Sequence, residues 1–275
     1  MDNDSAFAGI SDMFASLTEF PHRYFVIKEF MKRRVLLMLV THVLLAYSIY
    51  GQTSMPASTG DTKYTFEFAE RTRAYYCFIP NDQGPLPVVV LLHGSGRNGQ
   101  VMIDAWRSLA EKEHFIIVAP DASDSSGWSV KIDSPAFLRA VVDQIKATHP
   151  IDTSRVYLFG HSAGAVHALV FAIIDSHYYA STAVHAGAIP PGYEKLLFSL
   201  ADRRMRIAIW VGDQDPLFHI ETVTATKRLF ETNGFPVELT VVPNHDHNYY
   251  AISDEVNRQA WEFLKKSRLN GPPSK

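Results

Sequence analysis

Apolar and polar positions along most of the chain follow two alternating patterns. Residues 87–92 form a continuous apolar run, typical of a strand buried on both faces, and residues 101–112 follow with apolar side chains at helical spacing. The same patterns predict later strands at 115–119, 155–159, 181–185, 206–211 and 237–242, and helices at 135–147, 165–174, 220–233 and 254–266. Strands that alternate with helices predict an α/β fold with a mostly parallel central sheet and helices on both faces.

An apolar segment lies well upstream of this region. Residues 31–52 have the order of a secretory signal peptide: a basic cap, an apolar stretch, and then small or polar residues. The apolar stretch is interrupted by Thr41 and His42, and it is shorter than the roughly 20 residues of a spanning helix. We therefore expect a secreted or periplasmic protein with no stable membrane insertion after cleavage. A membrane anchor formed by residues 35–50 is the alternative.

The chain divides into four parts on this interpretation. Residues 1–30 have no clear period and form an upstream segment of doubtful nativeness, because Met31 begins the signal-like stretch. Residues 31–52 are the expected signal peptide, and residues 53–61, rich in Ser, Thr, Gly and Pro, are the expected linker. Residues 62–268 are the expected folded domain, which opens with strand-like runs at 64–68 and 74–79.

Composition and charge narrow the class of protein. With 275 residues, 47% of them hydrophobic and 20% charged, the chain has the composition of a globular protein with a sizeable core. A net charge of −3 gives no general attraction to phosphate backbones, so we expect no nucleic-acid partner. Cys77 is the only cysteine, which excludes an internal disulfide and any metal site built from cysteines.

A glycine-flanked serine supplies the candidate nucleophile. Gly160-His161-Ser162-Ala163-Gly164 matches the pattern G-x-S-x-G, and it lies between a predicted strand and a predicted helix. A strand that turns sharply into a helix strains the residue at its corner, and neighbours without side chains let the turn close. We therefore predict a nucleophile elbow with Ser162 at its corner.

Reactive side chains follow several of the predicted strands. Loops at the carboxyl ends of parallel strands converge on one crevice, so these side chains are expected to meet. They are His93, Asp121, Ser162, Asp213, Asp215, His245 and His247. Nucleophile, acid and base occur in the order Ser, Asp, His, which is the chain order of α/β-hydrolases.

Four motifs connect the chain to a known family. They are L-L-H-G-S-G at 91–96, I-D-T-S-R-V-Y-L-F-G-H-S-A-G at 151–164, G-D-Q-D-P at 212–216 and H-D-H-N-Y-Y at 245–250. Over residues 62–268 the chain resembles esterases of the α/β-hydrolase superfamily, of the polyhydroxybutyrate depolymerase-like, feruloyl and acetylxylan esterase-like groups. Its last motif is also similar to the ending of esterase D. The resemblance implies an α/β-hydrolase fold and hydrolysis of carboxylic esters through an acyl-enzyme.

The requirements of acyl transfer assign roles to these residues. A serine hydroxyl needs an imidazole to take its proton, and that imidazole needs a carboxylate to orient it. Ser162 is the expected nucleophile. The family's G-x-x-D spacing favours Asp215 over Asp213 as the acid, and the D-H-[SN]-Y-Y pattern favours His247 over His245 as the base. The alternatives Asp213 and His245 stay open.

An oxyanion hole is expected at two backbone N–H groups, those of Ala163 and Ser95. The loop at 93–99 could also be a flexible loop or a phosphate cradle, but it lacks the lysine of a P-loop. Imidazoles and carboxylates at the last two strand ends could hold a metal ion. A metal mechanism would leave the serine elbow unexplained, so we expect no metal and no cofactor.

The substrate is less well defined by the sequence. Trp128, Tyr249 and Tyr250 could line a substrate pocket or belong to the core. The segment 186–205 is short, which predicts little or no lid and an open cleft. Such a cleft suits esters of polymers, such as a polyester or a feruloylated or acetylated xylan, with a small-molecule esterase or thioesterase as the alternative. A non-catalytic binding protein on the same fold is the competing class, and a complete triad favours the enzyme.

Overall fold

The computed structural model describes residues 62–82, 84–189, 192 and 194–269. The predicted upstream segment, signal peptide and linker lie outside the described residues. No helix within the described ranges is long and apolar enough to cross a membrane.

Eight strands form one sheet. They are β1 (Thr62–Phe68), β2 (Arg71–Phe78), β3 (Leu86–Leu92), β4 (Ile116–Pro120), β5 (Ile151–His161), β6 (Ser181–His185), β7 (Arg206–Gly212) and β8 (Val237–Val242). Their spatial order is β1-β2-β4-β3-β5-β6-β7-β8. The first two strands pair antiparallel with their neighbours, and β3 to β8 run parallel. The prediction of a mostly parallel sheet is confirmed.

The described ranges contain six helices, of which five connect successive strands from β3 to β8 and the sixth follows β8. They are α1 (Gly99–Glu113), α2 (Pro135–Lys146), α3 (Ala163–Ile174), α4 (Glu194–Ser199), α5 (Ile220–Thr232) and α6 (Ser253–Leu264). Side-chain caps fix where two of them begin. Asn98 accepts a hydrogen bond from the Val101 N–H at the start of α1, and Ser134 accepts from the Phe137 N–H at the start of α2, where a proline follows the cap.

Each face of the sheet is covered by its own group of helices. All seven residues of β3 are buried, and their side chains alternate between two hydrophobic clusters. Val88, Val90 and Leu92 belong to the cluster that includes residues of α2, α3 and α5, whereas Val89 and Leu91 belong to the cluster of α1 and α6. Burial on both faces explains why the parallel strands have continuous apolar sequences.

Two short elements were absent from the sequence-based prediction. They are α4 and a 3₁₀ turn at Tyr249–Ala251. Both are too short to show a hydrophobic period. In addition, β5 begins at residue 151 rather than 155, because Ile151 pairs with Leu86 of β3.

Candidate active site

The elbow has the strained geometry that its sequence predicts. Ser162 lies between β5 and α3 with φ 56° and ψ −119°, a conformation that L-residues rarely adopt. A Cβ atom on Gly160 would lie 2.2 Å from the Gly164 carbonyl oxygen, and one on Gly164 would lie 2.3 Å from that of Leu92. The Ser162 N–H donates to the carbonyl oxygen of His185, 3.0 Å away. The turn therefore closes only because both flanking positions are glycine.

A histidine and an aspartate from two later loops meet at this serine. His247 Nε2 lies 2.9 Å from Ser162 Oγ, and His247 Nδ1 lies 2.8 Å from Asp215 Oδ2. The other carboxylate oxygen of Asp215 accepts hydrogen bonds from the N–H groups of Leu217 and Phe218, each at 2.9 Å. The structure thus brings together the three residues that the motif spacing favours.

Electrostatics keep this aspartate ionised. Burial alone would raise the pKa of Asp215, but the hydrogen bonds from His247, Phe218 and Leu217 outweigh it and hold the pKa below its usual value. A charged carboxylate fixes the Nδ1–H tautomer of His247 and leaves Nε2 free to accept a proton from the serine.

The two alternative residues occupy other positions. Asp213 is exposed, and its carboxylate accepts a hydrogen bond from the His245 N–H at 3.3 Å. His245 is buried, and its ring packs edge-on against His185 with the ring centroids 5.4 Å apart. Asp213 therefore acts as a turn residue, and no hydrogen bond joins either side chain to Ser162 in the part of the chain that the structure describes.

The loop after β3 lies directly against the serine. A Cβ atom on Gly94 would lie 3.2 Å from Ser162 Cβ, so a side chain there would crowd Ser162. The N–H groups of Ser95, in this loop, and of Ala163, the first residue of α3, have no hydrogen-bond acceptor among the described residues. Both donors therefore remain available to a substrate oxygen.

Trp128 and His93 hold this loop in place. His93 Nδ1 lies 2.8 Å from the Gly94 carbonyl oxygen, and His93 Nε2 accepts a hydrogen bond from the Ala122 N–H at 3.1 Å. Trp128 Nε1 donates to the His93 carbonyl oxygen at 2.8 Å, and its ring is only 4% exposed. Trp128 thus supports the loop from the core instead of lining a pocket, a role that no sequence pattern indicates.

The two tyrosines after His247 differ in their placement. Tyr249 is fully buried; its hydroxyl donates to Asn257 Oδ1 at 2.5 Å and accepts from Trp106 Nε1 at 2.8 Å. Of the two places that the sequence left open for Tyr249, pocket and core, the structure puts it in the core. Tyr250 is half-buried, which leaves it as the candidate for the cleft wall.

Phe218 is a site residue that the sequence analysis missed. It is half-buried, and its ring lies nearly parallel to His247 at 11°, with the centroids 5.7 Å apart. Its backbone N–H also binds Asp215. Its position three residues after the aspartate is the one signal that could have identified it.

Buried histidines pack beneath Ser162 and His247. His161 Nδ1 lies 3.2 Å from His185 Nδ1, and the His161 ring lies 5.0 Å from that of His247. Burial lowers the pKa of both His161 and His185 and keeps them neutral. In the described part of the chain, no cluster of three or more His, Cys, Asp or Glu side chains could hold a metal ion.

These buried histidines predict loss of stability in acid. Burial lowers the pKa of His167 to about 4 and of His185 to about 3, from a usual value of 6.5. At a pH between the lowered pKa of the folded state and the usual value of 6.5, each of these histidines is protonated in the unfolded chain but neutral in the folded one. The stabilisation is therefore complete above about pH 6.5 and is lost as pH falls, by up to about 1.4 kcal/mol per pH unit for each histidine.

Urea denaturation at pH 7, 6 and 5 measures this loss. His167→Gln should flatten the dependence on pH, whereas His219→Gln, a change at an exposed histidine, should leave it unaltered. A free energy of unfolding that stays constant from pH 7 to pH 5 would contradict the prediction.

A mostly parallel sheet flanked by helices, with a serine elbow at a strand end, defines the α/β-hydrolase class. A family model named Esterase matches residues 69–264, and the chain belongs to that family. The fold resembles a ferulic acid esterase of Anaeromyces mucronatus, at 19% identity and TM-score 0.61, covering 78% of this chain and 94% of that one. It also resembles an S-formylglutathione hydrolase of Agrobacterium tumefaciens, at 19% identity and TM-score 0.60, covering 79% and 99%.

Two relatives are similar in sequence over shorter stretches. A bifunctional acetylxylan esterase/xylanase of Neocallimastix patriciarum is 31% identical over 99 residues, which are 34% of this chain and 15% of that protein. A poly(3-hydroxyalkanoate) depolymerase C of Paucimonas lemoignei is 31% identical over 167 residues, which are 47% of this chain and 40% of that protein. The chain thus spans less than half the length of either relative.

Proposed function

We propose that the protein is a serine hydrolase of carboxylic esters that works through an acyl-enzyme. The observation that carries this proposal is the unbroken chain of hydrogen bonds from Asp215 through His247 to Ser162 Oγ, at 2.8 and 2.9 Å. A non-catalytic protein would have no requirement for this geometry, nor for the strained backbone of the serine.

Each residue has a defined part in the proposed reaction. Ser162 Oγ attacks the ester carbonyl carbon while its proton passes to His247 Nε2, and the N–H groups of Ser95 and Ala163 bind the resulting oxyanion. When the tetrahedral intermediate collapses, the C–O bond to the alcohol breaks, and His247 returns the proton to the leaving oxygen. Water then attacks the acyl group by the same steps, which releases the acid and restores the serine.

The proposed substrates are esters carried by polymers. In the described part of the segment after β6, the six-residue helix α4 is the only helix, which is consistent with little or no lid. The named activities of the two sequence relatives, on acetylxylan and on poly(3-hydroxyalkanoate), are consistent with this substrate class. Acetylated or feruloylated xylan and an aliphatic polyester are therefore the first substrates to assay.

A phosphonate serine label tests the mechanism. The purified protein should hydrolyse p-nitrophenyl acetate, lose that activity to the label, and carry the added mass on the peptide that contains Ser162. A chelator such as EDTA should have no effect, because the proposed reaction uses no metal. Inhibition by the chelator together with resistance to the label would refute the proposal, and a folded protein with no esterase activity would favour a binding protein.

The proposed location is outside the cytoplasm, with a mature chain that begins near residues 48 to 53. This proposal rests on the order of a basic cap, an apolar core and a polar end in residues 31–52. No charged residue lies between Val35 and Gly60. Expression from Met31 should give a processed protein outside the cytoplasm, and N-terminal sequencing of that product locates the cleavage. An unprocessed chain in the membrane fraction would indicate an anchor instead.

A further inference from the structure

A cavity lies beside the two strands, β1 and β2, that form one edge of the sheet. It has a volume of about 360 Å³ and opens between the β1–β2 turn and the start of α2. Its lining includes Phe68, Arg71, Arg73, Lys131, Ile132 and Ser134. Three of these side chains are basic, and no acidic residue of the described chain lines the cavity.

Two of the three basic side chains at the cavity, those of Arg71 and Lys131, have no matching negative charge among the described residues. Alternation along β2 places Arg71 and Arg73 on one face of the strand and Thr72 on the other, where its hydroxyl donates to Glu67. Arg71 and Lys131 are exposed, and within the described ranges neither forms an ion pair. Since like charges repel, two unpaired cations at one cavity create a positive potential that an anion would relieve.

Arg73 is buried at this cavity and has an unused donor. It is 5% exposed, with its guanidinium carbon 3.6 Å from the centre of the Phe137 ring. Its Nη2 group donates to Asp133 Oδ1 at 2.6 Å and to the Asp121 carbonyl oxygen at 3.0 Å. Its Nη1 group has no acceptor in the part of the chain that the structure describes. A buried guanidinium N–H without an acceptor is costly, so the Arg73 side chain marks a point beside the cavity where an acceptor is lacking.

The N-terminus of α2 adds to the same potential. Ser134 lines the cavity and caps this 12-residue helix, whose first N–H groups carry partial positive charge. Asp133 cannot serve as the missing anion, because its carboxylate already accepts hydrogen bonds from Arg73, from the Ser129 N–H, and from the N–H and hydroxyl of Ser123. The cavity therefore has donors and positive charge in excess of its acceptors.

We propose that this cavity binds an oxyanion, either a free sulfate or phosphate ion or the carboxylate of an acidic sugar. Its volume of about 360 Å³ leaves room for a ligand of either kind. Arg73 donates to the Asp121 carbonyl oxygen just after β4, and Ser162 follows β5, so the cavity and Ser162 lie toward the carboxyl ends of the parallel strands.

Isothermal titration calorimetry with sodium sulfate and with sodium glucuronate tests this proposal at constant ionic strength. The full chain should bind at least one of them saturably at one site. Arg71→Gln/Lys131→Gln should raise the Kd at least about tenfold, because two charge-assisted contacts are lost. A matched control is Lys112→Gln/Arg228→Gln, which removes an exposed lysine and an exposed arginine elsewhere and should bind like the parent protein.

The outcomes separate the two sources of the ligand. Saturable binding of sulfate alone identifies a site for a small inorganic anion, and binding of glucuronate identifies a site for an acidic sugar. No saturable heat with either compound, or the same Kd in both double variants, would overturn the proposal. Since the titration does not use ester hydrolysis, its result is independent of the catalytic function proposed above.

Discussion

Ser162→Ala is expected to lower kcat for p-nitrophenyl acetate by about a millionfold. Removal of Oγ leaves His247 without the hydroxyl that it contacts at 2.9 Å, so no acyl-enzyme can form. The remaining rate should come from the oxyanion donors and substrate binding alone. Initial rates of p-nitrophenolate release, compared at equal concentrations of folded protein, measure this loss.

Ser95→Ala is the matched control for that variant. It also removes one serine hydroxyl at the cleft, but it keeps the backbone N–H that is proposed to bind the oxyanion. Its rate should stay close to that of the parent protein, and circular dichroism should show both variants folded. Substantial activity in folded Ser162→Ala would exclude the serine mechanism, whereas a large loss in Ser95→Ala would give its hydroxyl a role that the structure does not show.

Much of the fold can be predicted from the sequence, because buried strands and helices have recognisable patterns of apolar residues. β3 lies between two helical layers, so it is apolar at every position, and the strand was recognised within one residue of its start. The elbow was recognisable for a different reason. A Cβ atom at Gly160 or Gly164 would lie under 2.5 Å from backbone atoms, so only glycine fits at either position.

Contacts between segments that are distant in the sequence produce no such pattern. Whether Tyr249 faces a cleft or the core depends on Trp106 and Asn257, whose hydrogen bonds to its hydroxyl bridge three separate elements. The hydrogen bond by which Trp128 supports the loop after β3 likewise depends on a second loop, the one that joins β4 to α2. Neither arrangement has a periodic pattern, so the sequence left both aromatic residues undecided between pocket and core.

The second prediction with a large expected effect concerns which histidine, His247 or His245, acts as the general base. His247→Ala is expected to reduce kcat for p-nitrophenyl acetate about as severely as Ser162→Ala, because residues of a triad act as a unit. Without the imidazole, nothing takes the serine proton, and the Asp215 carboxylate loses the hydrogen bond that it makes at 2.8 Å. The measurement is a comparison of initial rates between the two variants at the same pH.

His245→Ala separates catalysis from packing. The His245 ring is 7% exposed and packs on His185, and its Nε2 atom has no hydrogen-bond partner among the described residues. Its removal should therefore leave a cavity that lowers thermal stability, while kcat stays within about tenfold of the parent value. The reverse pattern, with His245→Ala inactive and His247→Ala active, would transfer the proposed general base to His245. It would also require the loop after β8 to adopt a different conformation when substrate binds, since His245 makes no hydrogen bond to Ser162 in the described structure.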